Sequence, residues 1–118
     1  GYYLKPTIVD TEVSEGVKVL EPEAVSLITE VMKLAVENGE AKWSKPKGLS
    51  VAGKTGTAQI PIEGHYDPDK TIASFVGFFP SNSPKYTMIV SLREPKTSIW
   101  GSETAAPLWF NIAKQLLL

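Results

Sequence analysis

The stretch Gly48-Leu-Ser-Val-Ala-Gly-Lys-Thr-Gly-Thr57 admits two incompatible readings, and the choice between them decides the fold. Its first eight residues fit a phosphate-binding loop, with Gly48, Gly53, Lys54 and Thr55 in register. Such a loop needs a buried strand before its first glycine and a helix starting at the Lys-Thr pair. Neither context is there. Lys42-Trp-Ser-Lys-Pro-Lys47 precedes the stretch and is no buried strand, while Thr55 to Ile60, followed by Pro61, favours an extended chain. Read instead as a strand, the segment places Lys54 and Gly56 on one face and Thr55 and Thr57 on the other. A mid-strand lysine has to snorkel or pair. Two hydroxyls bracketing a bare glycine can hydrogen-bond a carboxylate at close approach. An exposed edge strand can also pair with an extended peptide through its backbone. The strand therefore suits an anionic peptide end held beside a cation. The bland alternative is a solvated edge lysine between threonines chosen for strand propensity.

Outward from this strand, the pattern predicts a three-stranded antiparallel sheet with two helices. Val51 to Ile60 is the first strand, closed by Pro61. Thr71 to Phe79 is the second; its run Ile-Ala-Ser-Phe-Val-Gly-Phe-Phe is apolar on both faces and predicts cover on both sides. Tyr86 to Arg93 is the third, with Met88, Val90 and Leu92 on one face. The link Pro80-Ser-Asn-Ser-Pro-Lys85 is turn chemistry, so strands two and three form a hairpin. Pro61 to Lys70 reads as a loop. A helix is expected over Glu21 to Asn38, with Pro22 in its first turn and an apolar face of Ala24, Leu27, Ile28, Val31, Met32 and Ala35. Gly39, in the left-handed conformation, should stop it. A second helix is expected over Glu103 to Leu117, capped by Ser102 or Thr104, with a stripe of Ala105, Leu108, Trp109, Ile112, Ala113 and Leu116. Tyr2 to Val9 is extended in character, and Glu15 to Leu20 reads as a turn and a short strand.

Composition narrows the function classes. The 118 residues suit one small domain or a piece of a larger one. Twelve basic against thirteen acidic side chains give a net charge of -1, which argues against nucleic acid as a partner. The absence of cysteine removes disulfides, thiol catalysis and cysteine-ligated metals. No cofactor or metal is called for. His65 is the only histidine; it shares its loop with Glu63, Asp67 and Asp69 at no recognisable ligand spacing and reads as solvated. In the same loop, Tyr66 is a candidate for facing a substrate. Trp43 and Trp100 sit in connections and read as packing residues, and Trp109 as core. Arg93 and Glu94 read as a solvated strand end.

Taken together, Gly53-Lys-Thr-Gly-Thr-Ala58, Ser74-Phe-Val-Gly-Phe-Phe-Pro80 and Ala105-Ala-Pro107, in this order and at these spacings, resemble one known family. It is the end of the transpeptidase domain of class B penicillin-binding proteins, most of all the division-type, septal members. The resemblance covers nearly the whole chain, from Gly1 to Leu118. It implies an α/β fold of mixed form: a partial antiparallel sheet flanked by helices, within the penicillin-binding transpeptidase and serine β-lactamase-like fold. Residues 1 to 118 would be the C-terminal portion of one domain, with two strands and a helical subdomain supplied from upstream.

The superfamily signature is Ser-x-x-Lys, a Ser-Asp-Asn type triplet and Lys-Thr-Gly. By resemblance, Lys54 would be the lysine of the third motif, polarising the hydroxyls around the nucleophile. Thr55 and Thr57 would bind the carboxylate of a stem peptide or a penicillin. The Thr57 backbone amide would be one donor of the oxyanion hole. Gly56 would leave room for the substrate backbone. The first two motifs are missing. No Ser-x-Asn occurs, and the one Ser-x-x-Lys string, Ser44-Lys-Pro-Lys47, is broken by Pro46 where a buried helix turn is required. The nucleophile is expected outside this chain, so the chain alone should not acylate. It is expected to be a remnant or to need its other half. The implied partners are the peptidoglycan stem peptide, β-lactams, the upstream half of the same domain and other cell-division proteins. The membrane would be reached through an absent N-terminal anchor, on the outer face of the bacterial cytoplasmic membrane. The alternatives are a non-catalytic penicillin-binding-like scaffold module or a β-lactamase-related piece.

Overall fold

The computed structural model describes residues 1–9 and 15–117. Two very short strands, β1 (Tyr2–Tyr3) and β2 (Val17–Lys18), pair antiparallel, with Tyr2 opposite Lys18 and Tyr3 opposite Val17. Helix α1 (Pro22–Asn38) follows, then a 3-10 helix over Glu40–Trp43. Strands β3 (Ala52–Ile62), β4 (His65–Phe79) and β5 (Tyr86–Arg93) come next, and α2 (Ala105–Leu116) ends the order. The main sheet runs β3-β4-β5, antiparallel throughout, so β4 is central and β3 is an edge. The architecture is the mixed α/β arrangement that the sequence predicts.

The core lies between the sheet and α2. Alternate residues of β4, namely Thr71, Ala73, Phe75, Gly77 and Phe79, are buried. Trp109 meets Phe75, Phe79 and Phe110 edge-on, with ring centroids 5.1, 5.1 and 5.6 Å away. Its indole Nε1–H donates to the Met88 carbonyl at 2.8 Å, which ties α2 to β5 as well. Edge-to-face pairs of this kind add roughly 0.5–1.5 kcal/mol each beyond burial. The opposite face of β4 is less covered than its apolar run suggests. Ile72, Ser74 and Phe78 are half-buried and Val76 is 43% exposed. The reason is the placement of α1, which lies against β3 and leaves a cleft of about 530 Å³ lined by Val25, Met32, Phe78 and Thr87.

Helix α1 packs with only part of the expected stripe, Met32 and Ala35. Val36 is buried and Val25, Thr29, Met32, Lys33 and Ala35 are half-buried, whereas Ala24, Leu27, Ile28 and Val31 are exposed. The helix is apolar on two stripes, and only one meets the sheet. In α2 the stripe is centred on Trp109 and takes in Ala106 and Phe110, while Leu108 and Leu116 face outward. Neither expected cap is made. Ser102 donates to Glu40 Oε2 at 3.1 Å and Thr104 donates back to the Trp100 carbonyl at 2.7 Å. Gly39 is extended (φ -77°, ψ -178°) rather than left-handed. Its lack of a side chain matters for a different reason: a Cβ there would strike the Ala35 carbonyl that its own amide caps.

The expected loop from Pro61 to Lys70 is a continuous hairpin. Strand β3 runs on through Pro61, which an edge strand tolerates because its missing donor faces no neighbour. Glu63 and Gly64 both take positive φ, 48° and 86°, the geometry of a tight two-residue hairpin turn. The ladder then shifts register: Ile60 pairs with Asp67 while Gln59 pairs with Thr71. Pro68 cannot donate to a ladder, and the Asp67 carboxylate accepts from the Asp69 amide at 2.9 Å to round off the bulge. At the other end, the hydroxyls of Ser50 and Ser81 meet at 2.6 Å and Ser81 N–H donates to the Ser50 carbonyl, which fixes the start of β3 against the β4–β5 turn.

The two faces of β4 should respond unequally to truncation. Phe75→Ala, at a fully buried ring, should lower the unfolding free energy by about 3–5 kcal/mol. Val76→Ala, on the open face, should cost less than about 1 kcal/mol. Urea denaturation of both variants checks this, and equal losses would contradict the one-sided core.

Candidate active-site strand

Lys54, Thr55, Gly56 and Thr57 lie in β3 opposite Val76, Phe75, Ser74 and Ala73 of β4. The register fixes their faces. Thr55 and Thr57 share the face of Phe75 and Ala73, toward α2, and Lys54 and Gly56 share the face of Val76 and Ser74. The Lys54 ammonium is exposed and folds along the strand, donating to the Thr55 carbonyl at 3.0 Å and lying 3.5 Å from Thr55 Oγ1. Among the described residues it has no carboxylate partner. Of the two expected outcomes, snorkelling is the one adopted.

Gly56 and Thr57 are held from opposite faces. A Cβ at position 56 would lie 2.6 Å from Ser74 Oγ, so the bare glycine makes room for a hydroxyl of the neighbouring strand. On the other face, the connection from β5 to α2 crosses the sheet. Gly101 approaches so closely that a Cβ there would strike the carbonyls of Gly56 and Ser74. Its amide donates to Thr57 Oγ1 at 3.0 Å.

Two clefts flank the strand. One, of about 310 Å³, lies at the Lys54 end between Gly53, Lys54, Thr55 and the turn from α1 into Glu40 and Ala41. The other, of about 450 Å³, lies beyond Thr57 and is lined by Gln59, Tyr66, Pro68, Ile99 and Trp100. Tyr66 and Trp100, 68% and 51% exposed, both border it. Trp100 is thus not the packing residue its position in a connection suggests. Nor is Trp43, which is exposed and carries the Lys42 ammonium 4.7 Å above its ring.

Other candidates fall elsewhere. Ser44 ends the 3-10 helix and donates to the Ala41 carbonyl at 3.1 Å. Lys45 is turned to the Leu49 carbonyl at 2.7 Å, and no helix runs from Ser44 to Lys47. His65 begins β4 at the hairpin tip rather than sitting in a loop. No set of three histidine or acidic side chains among the described residues is placed to hold a metal ion. Arg93 ends β5 and Glu94 follows it, with Arg93 Nε 3.6 Å from Glu94 Oε1 and the arginine the more exposed of the two. Sequence reasoning did not find Gly101, Ser74 or Thr71, because their contacts with this strand join residues distant in the chain.

Comparison with known proteins agrees with this geometry. A family profile described as the penicillin binding protein transpeptidase domain matches residues 1–117. Penicillin-binding protein PbpB of Mycolicibacterium smegmatis is 31% identical over 94% of this chain and 19% of its own length. Stage V sporulation protein D of Bacillus subtilis is 34% identical over 85% of the chain and 16% of its own length. Among solved structures, the transpeptidase domain of penicillin-binding protein 3 from Burkholderia pseudomallei superposes with a TM-score of 0.83 at 30% identity, covering 99% of this chain and 37% of that one. Penicillin-binding protein 3 of Mycobacterium tuberculosis, solved in complex with ampicillin, gives a TM-score of 0.72 at 25% identity, over 92% of this chain and 26% of that one. The chain thus spans less than a fifth of the curated relatives named here and between a quarter and two fifths of these two solved chains. By its profile, its relatives and its fold, the chain belongs to the penicillin-binding protein transpeptidase family, in the class B branch.

Proposed function

We propose that this chain forms one wall of the active site of a serine peptidoglycan D,D-transpeptidase, the wall that receives the carboxylate end of a stem peptide or a β-lactam. The observation that carries the reading is Lys54-Thr55-Gly56-Thr57 on an exposed edge strand, with an ammonium at one end that meets no carboxylate among the described residues and, at the other, a Thr57 hydroxyl already accepting from Gly101. An edge strand offers its backbone to an extended peptide. A hydroxyl that accepts one bond still has its proton to give. A carboxylate lying along β3 would meet that proton, the Thr55 hydroxyl and the field of Lys54.

The chemistry needs a serine that this chain does not supply. In the complete domain the serine would attack the carbonyl between the last two residues of a stem peptide, expel the terminal residue and hold the rest as an ester. The amine of a second stem would then attack that ester and free the serine. Lys54 would favour the proton movements of the serine hydroxyl network by its charge. The Thr57 amide would donate to the oxyanion of each tetrahedral intermediate. Against Ser44 as the nucleophile stand its hydroxyl, which donates to the Ala41 carbonyl, and Lys45, which is turned to the Leu49 carbonyl. The remainder of the domain would add its strands beside β5, leaving the β3 edge open, and cover the apolar stripe of α1. No helix among the described residues is long and apolar enough to cross a membrane. Placement on the outer face of the cytoplasmic membrane would therefore rest on another segment. The similarity to stage V sporulation protein D and to FtsI homologues favours division-type wall synthesis, alongside other division proteins.

Two measurements test this. The purified chain incubated with benzylpenicillin should show no mass increase; a stoichiometric adduct would place a nucleophile within it. In the complete transpeptidase carrying this chain, Lys54→Ala should slow acylation by benzylpenicillin by about 100-fold or more. Thr57→Ala should weaken the noncovalent step by roughly tenfold or more, the worth of a hydrogen bond to a charged group. Acylation at the wild-type rate in Lys54→Ala would remove Lys54 from the catalytic machinery and leave β3 as a binding wall alone.

A further inference from the structure

Thr71 has a buried hydroxyl that the reading above does not use. It is 2% exposed and lies in β4 opposite Gln59, two residues along the strand from Ala73, which faces Thr57. Thr71 and Thr57 are therefore diagonal neighbours on the α2 side of the sheet. A buried hydroxyl needs a partner. Thr71 Oγ1 finds it in the carbonyl of Ile99, at 2.8 Å, across 28 residues of chain. Two residues further on, Gly101 N–H donates to Thr57 Oγ1 at 3.0 Å.

The two bonds match in spacing. Ile99 to Gly101 is a two-residue step, and so is Thr71 to Ala73. Along β4 that step covers roughly 6.6 Å, and the bent connection spans it with the Ile99 carbonyl on one anchor and the Gly101 amide on the other. The connection is held from behind too. Thr104 Oγ1 donates to the Trp100 carbonyl at 2.7 Å, and the Ala106 amide donates to the Gly101 carbonyl at 2.8 Å. Residues 99–101 are thus clamped between the sheet and the first turn of α2, and Gly101 is pressed too close to β3 and β4 for any side chain.

We propose that Thr71 is a positioning residue for the carboxylate site: its hydroxyl anchors Ile99, which sets Gly101 N–H on Thr57 Oγ1 and so turns the Thr57 hydroxyl proton toward the ligand. A threonine hydroxyl has one proton and two lone pairs and otherwise rotates freely. With a lone pair committed to Gly101, the orientations that leave the proton facing the open edge are favoured before the ligand arrives. Preorganisation of this kind raises affinity without adding a contact to the ligand. The inference rests on the reading of Thr57 as a carboxylate donor.

The test is a mutant cycle in the complete transpeptidase carrying this chain, with benzylpenicillin as the probe and the noncovalent constant Ks separated from the acylation rate k2. Thr71→Val keeps the shape and removes the hydroxyl. It should raise Ks by about three- to tenfold, the worth of one buried hydrogen bond, and change k2 less. Thr71→Ser keeps the hydroxyl and should hold Ks at the wild-type value. Thr57→Ala with Thr71→Val should be no worse than Thr57→Ala alone, because the relay then has nothing to position. Exchange of the Gly101 amide, followed by NMR, should quicken in Thr71→Val and not in Thr71→Ser. A wild-type Ks in Thr71→Val, equal impairment in both Thr71 variants, or additive losses in the double variant would overturn the positioning role while leaving Thr57 a carboxylate donor. A wild-type Ks in Thr57→Ala would remove the carboxylate reading itself, and the relay with it.

Discussion

Trp109 stands edge-on to Phe75 and Phe79 of the central strand and donates its indole proton to the backbone of β5. One side chain thus locks α2 to two strands at once. Burial drives the contact, and the hydrogen bond satisfies the one polar atom that burial would otherwise strand. Because β4 pairs with both its neighbours, fixing β4 against α2 also fixes where every residue of β3 falls. The alternate apolar residues of β4 settle which face is core, and a slip of one residue would turn Lys54 inward. The placement of the Lys-Thr-Gly-Thr segment is a consequence of aromatic packing several ångströms away on the far side of the next strand.

The site side of this arrangement is an edge and a crossing. The edge, β3, leaves its backbone and the Lys54 ammonium exposed, with a cleft at each end of the strand. The crossing is the connection at residues 99–101, which passes over the sheet where Gly56 and Ser74 pair. Two glycines make this possible from opposite sides. Gly56 admits the Ser74 hydroxyl on one face, and Gly101 lets a backbone amide reach Thr57 on the other. Each is required by an approach within the chain itself, before any ligand is considered. The same connection brings Trp100 to the rim of the cleft that Tyr66 also lines.

Much of this was legible without coordinates. Strand β5 and the β4–β5 hairpin were readable because period-two alternation and a proline- and serine-rich turn are local signals. Helix α1 was readable from Pro22 and from apolar residues at helical spacing. Its packing face was not, since the helix carries apolar residues on two stripes and nothing local says which will meet the sheet. The β3–β4 hairpin was missed because Pro61 and Pro68 look like strand breakers, whereas an edge position and a bulge accommodate both. The absence of caps on α2 was also hidden: Ser102 and Thr104 have good capping chemistry, but Glu40 and the Trp100 carbonyl take their hydroxyls first.

The sequence by itself determined the strand, the alternation of its side chains and, through three motifs at fixed spacing, the family. Those follow from neighbours within a few residues or from recurring strings. The tertiary structure alone decided what each residue of the strand touches: which face meets Phe75, what stands over Gly56, and which amide holds the Thr57 hydroxyl. These contacts join residues 18 to 44 positions apart, Gly56 with Ser74 and Thr57 with Gly101. No local pattern encodes them, because they exist only once the aromatic core has brought the connection down onto the sheet.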